Sequence, residues 1–163
     1  MKNLRTYQTV AAFFILLLLS GCVGIYENGK ELAADTKPYI EEITVDELNA
    51  KIENSEEFFL IDVRQPAEFE KGNLPYSTLI PRGIIEFKIV NRAFWEDDQQ
   101  WIVPEKDAEI VIYCKKGDRG ILATKALMEL GYTNVRNLAG GIVAWDPEFD
   151  SGSEAVEEGG CGG

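Results

Sequence analysis

The chain has 163 residues, with 28 Asp and Glu against 16 Lys and Arg and a formal net charge of −12. So acidic a surface repels nucleic acid, and no nucleic-acid partner is expected. Histidine is absent, which excludes Cys-His and Ser-His-Asp catalysis and the common zinc sites, so neither a metal nor a cofactor is expected.

Lys2 and Arg5 precede an apolar run over residues 10–19, followed by Leu19-Ser20-Gly21-Cys22. A basic start, a short apolar core and small residues at the end describe a secretory signal, because so short a run cannot cross a bilayer. Leu19-Ser20-Gly21-Cys22 also resembles the lipobox of bacterial lipoproteins. That resemblance implies cleavage after residue 21 and a diacyl or triacyl anchor on Cys22, holding the protein to a membrane outside the cytoplasm. Val23 stands where an Asp would favour the inner membrane, so the resemblance leans toward the outer one. The expected organisation is a signal over 1–21, a tether over 22–38, one folded domain over 39–147, and a flexible acidic Gly-rich tail over 148–163 that carries Cys161.

Thr44 and Glu47 form a capping-box pattern that predicts a helix over 45–53. Residues 58–62 (Phe58-Phe59-Leu60-Ile61-Asp62) read as a buried strand. Pro66 opens a short helix through Phe69, and residues 78–80 are a brief strand. Ile85 and Ile89, four apart, predict another helix over 84–89. Residues 95–105 are acidic and aromatic without a period, and read as a loop that packs its tryptophans. A strand follows over 109–113, then a helix over 120–130 in which Ala123, Ala126, Leu127 and Leu130 recur at helical spacing and Gly131 stops the run. Residues 135–138 form a last strand, and Gly140-Gly141 leads into a short helix ending at Trp145. Strands alternating with helices predict an α/β fold, a mostly parallel sheet flanked by helices on both faces.

Sites in such sheets form at the carboxyl ends of strands. There the sequence places Cys114, then Lys115, Lys116, Gly117, Asp118, Arg119 and Gly120. Backbone N–H groups at a helix N-terminus, the positive end of the helix dipole and three cations all stabilise a thiolate, and the same cradle binds a small anion. The competing reading is a core cysteine, since free Cys is among the most buried residue types. Two lysines directly behind it argue for the reactive reading.

Six segments in order resemble the rhodanese (sulfurtransferase) family: Leu60-Ile61-Asp62-Val63-Arg64, Glu68-Phe69-Glu70-Lys71-Gly72, Ile80-Pro81, Ile112-Tyr113-Cys114 with its loop, Leu130-Gly131-Tyr132, and Leu138-Ala139-Gly140-Gly141 through Trp145. The resemblance implies a rhodanese-like fold and a persulfide mechanism. The Cys114 thiolate takes the outer sulfur of a small anionic donor such as thiosulfate, and a thiol or protein acceptor then removes it. The amides from Lys115 to Gly120 would hold the persulfide, while Lys115, Lys116 and Arg119 attract the donor. Asp62 and Arg64 are implied to be supporting residues, with Arg64 bracing the loop and pairing with Glu68. Asn73 stands where the family usually has a histidine, and Gly120 where many relatives have a serine, so a hydroxyl contact to the persulfide is expected to be missing.

Related folds host phosphatases and arsenate reductases, which place five residues between Cys and Arg. Here Cys114 and Arg119 enclose four, which suits a persulfide better than a phosphoryl group. A non-catalytic binding or redox-sensing module is the other alternative. Cys161, between two Gly-Gly pairs, is read either as a resolving thiol for Cys114 or as a disulfide or idle tail cysteine.

Overall fold

The computed structural model describes residues 24–99 and 101–150. The signal, Cys22 and Cys161 lie outside the described residues.

Five strands form one wholly parallel sheet: β1 (Glu42–Ile43), β2 (Phe59–Asp62), β3 (Thr78–Leu79), β4 (Ile110–Tyr113) and β5 (Val135–Leu138), in the order β1-β5-β4-β2-β3. β4 is a continuous apolar run, and β2 is apolar up to Asp62, because both of their faces are covered. Successive side chains point to opposite faces. Ile61, Ile110 and Ile112 therefore join one core, while Leu60, Val111 and Tyr113 join the other.

Among the described residues, six α-helices accompany the sheet: α1 (Gly29–Thr36), α2 (Val45–Glu53), α3 (Pro66–Phe69), α4 (Ile85–Lys88), α5 (Asp118–Glu129) and α6 (Gly141–Trp145). Ile85 of α4 and Ala123 and Leu127 of α5 pack into the first core. Leu48 of α2 and Ile142 of α6 pack into the second. The Thr44–Glu47 capping box forms as the sequence predicts, with the Thr44 N–H donating to Glu47 Oε2 at 2.8 Å.

Four expectations need correction. Residues 22–38 are not an open tether throughout. Asn28 Oδ1 accepts from the N–H groups of Lys30 and Glu31 at 3.0 Å each, which starts α1. That helix packs on α5 with Ala33 fully buried. The edge strand β1 went unread because two residues carry no alternation. In the acidic aromatic segment the two tryptophans part company: Trp95, in a π-helical turn over Phe94–Asp98, is buried with its Nε1–H on Ile89 O at 2.8 Å, whereas Trp101 is half exposed. The acidic tail begins later than residue 148, since Pro147–Asp150 forms a 3₁₀ turn that seats Phe149 over Arg64, 5.0 Å from guanidinium carbon to ring centre.

Candidate active site

Cys114 follows the last residue of β4, where the chain turns into α5. Its side chain is 1 % exposed, at the floor of the loop. The Gly117 N–H donates to Cys114 Sγ at 3.2 Å, and Gly117 O then accepts the first helical bond of α5, from Ile121 N at 2.9 Å. The sulfur thus sits at the N-terminus of a twelve-residue helix, where the dipole favours negative charge.

The loop is also held from behind. Ile142 N donates to Cys114 O at 2.9 Å, and Val143 N to Lys115 O at 3.2 Å. These are orphan amides of the first turn of α6. Gly141 lets α6 approach so closely: its φ is +64°, and a Cβ there would overlap Cys114 O and stand 2.7 Å from Lys115 O. Those bonds brace the loop against α6, and the Gly117 N–H is directed at the sulfur.

Among the loop's charged residues, Lys115 is half-buried while Lys116 and Asp118 are exposed. Arg119, on the first turn of α5, makes a two-pronged bond to Glu68 of α3, with Nη1 to Oε2 at 2.6 Å and Nη2 to Oε1 at 2.7 Å. Fork-to-fork pairing of this kind is the strongest form of the ion pair. The hydrogen bonds from Arg119, with help from the Gln65 N–H, hold the Glu68 carboxyl down from an ordinary 4.5 to about 2. In return Glu68 holds Arg119 protonated, and the Cys114 thiol lies close enough to add a smaller contribution of the same sign.

Arg64 pairs with Asp62, and the expected Arg64–Glu68 pair does not form. Arg64 Nε donates to Asp62 Oδ2 at 2.9 Å and Nη2 donates to the same oxygen at 2.7 Å, with both side chains fully buried. Nη2 also reaches Gly72 O at 2.7 Å. Guanidinium and rings close the arrangement, with Tyr113 at 5.6 Å on the Cys114 strand. The pair therefore joins the end of β2 to the end of β4, beside the loop rather than in it.

Asn137 of β5, fully buried, was not singled out in the sequence. Its Nδ2 donates to Glu42 Oε1 at 3.0 Å, and Oδ1 faces the Cα of Gly120. Its place between Val135 and Leu138 on the buried alternation of β5 was the signal that could have found it. Glu68 was legible as part of a motif, but its partner 51 residues away was not. A separate cleft of about 740 Å³, lined by Phe58, Phe59, Tyr76, Trp101 and Ile102 among others, opens at the amino ends of β2 and β4, away from the thiol.

Fold and site define an α/β protein that holds a buried cysteine in a short loop between a strand's carboxyl end and a helix N-terminus. The chain belongs to the rhodanese-like family: residues 44–148 match the rhodanese-like domain model, and its class of chemistry is rhodanese-type sulfur transfer. It is 34 % identical over 106 residues to a sulfurtransferase of Allochromatium vinosum, covering 65 % of this chain and 88 % of that one. The human single-domain sulfurtransferase TSTD1 superposes with a TM-score of 0.59 at 28 % identity, covering 70 % of this chain and 97 % of the other. A Rhodopseudomonas palustris protein of unknown function, described as a possible tyrosine phosphatase, gives a TM-score of 0.60 at 28 % identity over 80 % and 96 % of the two chains.

Proposed function

We propose that this protein moves sulfane sulfur from a small anionic donor of the thiosulfate type, through a persulfide on Cys114, to a thiol or other nucleophilic acceptor outside the cytoplasm. The carrying observation is the placement of Cys114 Sγ on the Gly117 N–H at the start of α5. The thiolate attacks the outer sulfur of thiosulfate. A new S–S bond forms from the thiolate's electron pair, the donor's S–S bond breaks, and its pair leaves with sulfite. An acceptor thiolate then attacks the terminal persulfide sulfur and regenerates Cys114, which gives ping-pong kinetics. The Gly117 N–H and the N-terminus of α5 stabilise the charge that the persulfide carries. With the thiol 1 % exposed, a donor must present its reacting sulfur as a narrow end, as thiosulfate does.

The phosphatase reading suggested by one structural relative is less well supported. Four residues separate Cys114 from Arg119, and the Arg119 fork is occupied by Glu68 rather than open to a phosphoryl group. The address is part of the proposal: the lipobox-like run ending at Cys22 supports a lipid anchor and an extracytoplasmic site of action.

Intact mass spectrometry of the mature protein after incubation with thiosulfate tests the reading. A gain of one sulfur atom (~32 Da), lost in Cys114→Ser and reversed by cyanide or a thiol, is expected. A fully reduced wild type that gains nothing overturns it in favour of a binding module.

A further inference from the structure

The Gly117 N–H that meets Cys114 Sγ at 3.2 Å belongs to a residue with a φ of +106°. Glycine adopts that conformation at little cost and leaves it as readily, so the donor's aim depends on what packs around it. Its carbonyl is held by Ile121 N at 2.9 Å. Where a side chain would stand, a Cβ would come to 3.5 Å from Gly140 N and 3.7 Å from Asn137 Nδ2. One turn on, Asn137 Oδ1 closes against the Gly120 Cα. The Asn137 carboxamide thus backs the start of α5 at both glycines, its nitrogen toward Gly117 and its oxygen toward Gly120.

Asn137 is fully buried, and its Oδ1 has no hydrogen-bond partner among the described residues. A buried acceptor left so is costly and calls for a reason. The reason lies at the other end of the amide. Glu42, opposite Asn137 on β1, accepts from Nδ2 at 3.0 Å, and its second oxygen pairs with Lys37 Nζ at 2.9 Å. A carboxylate only accepts, so it takes the nitrogen and turns the oxygen toward α5.

We propose that Asn137 is a positioning residue for the reacting thiol: oriented by Glu42, its carboxamide holds the start of α5 so that the Gly117 N–H stays on Cys114 Sγ. This rests on the persulfide reading above. Asn137 acts through Gly117 rather than on the sulfur itself. With that N–H displaced, the thiolate loses a charge-assisted hydrogen bond, and less of the thiol ionises at a given pH.

The test uses the full mature chain and follows Cys114 by peptide mass. Two rates are measured against pH: alkylation by iodoacetamide, and persulfide formation from thiosulfate. Asn137→Ala is expected to move the midpoint of both pH–rate profiles up by about one unit, a tenfold loss of thiolate below it. Glu42→Ala is expected to move it the same way by less, since the carboxamide is then free to turn. Loss of the Glu42 charge alone would move the midpoint down, so the sign separates positioning from charge. Urea unfolding reads the stability of each variant separately. Profiles that coincide with wild type while the urea midpoint falls, or a downward shift in Glu42→Ala, overturn the inference and leave Asn137 a packing residue. A wild type that is alkylated at Cys114 yet gains no sulfur overturns the persulfide reading, and this role in sulfur transfer with it.

Discussion

Gly120 sets its bare Cα against Asn137 Oδ1, leaving no room for a Cβ between them. The serine found at this position in many relatives does not fit here, because the Asn137 amide already fills its space. Oδ1 is buried and has no hydrogen-bond partner among the described residues. The amide is kept in place from its other end, by Glu42.

Gly120→Ser should therefore destabilise the fold by ~1–3 kcal/mol, the usual cost of overpacking a filled interior. It should also slow persulfide formation, since the same helical turn carries the loop. Asn137→Ala in the same chain should restore much of both losses. Urea unfolding and the mass-gain assay read the two effects, and a double variant no better than Gly120→Ser would show that the two residues are independent.

Asp62 and Arg64 are both fully buried, so removing one partner leaves an uncompensated charge in the interior. Asp62→Ala should cost ~3–5 kcal/mol, seen as a large drop in the urea midpoint. Arg92→Ala, which breaks an exposed ion pair with Glu96, should leave the urea midpoint close to wild type, because surface pairs contribute little.

The Glu68 carboxyl is lowered to about 2 in the folded protein by Arg119. A group depressed on folding stabilises the native state above its unfolded pKa, and that contribution fades as pH falls toward the folded value. Wild-type stability should thus decline between about pH 4.5 and pH 2, with part of the decline owed to Glu68. Glu68→Gln should flatten that part of the curve. A pH series of thermal unfolding temperatures with an unchanged slope would contradict the assignment.

Docking of α1 makes a prediction of its own. Ala33 is fully buried, so Ala33→Leu should cost ~1–3 kcal/mol through overpacking. Were residues 29–36 an undocked tether, the change would leave the urea midpoint untouched.

The central sheet was legible in the sequence because its strands are buried on both faces, and Ile110-Val111-Ile112-Tyr113 announces that directly. α5 was legible from the spacing of Ala123, Ala126 and Leu127. α1 was not, since its eight residues GKELAADT show only a small apolar patch and its best cue was the Asn28 cap. Cys114 and its loop could be named from residue types and order alone. Their charge partners could not. Arg64 has Glu68 four residues on, which suggests a helical pair, but Arg64 follows an extended strand. There the residue two back lies on the same side, so Asp62 wins. That leaves Glu68 for Arg119, a contact only the assembled fold can create.

Both borders of the sheet are two residues long, β1 at one side and β3 at the other, and β3 runs between Pro75 and Pro81. Short, proline-flanked edges offer few unpaired backbone groups to an incoming strand. The protein can stay at high local concentration without its sheets annealing to one another. Another protein likewise gains little by adding a strand to these edges.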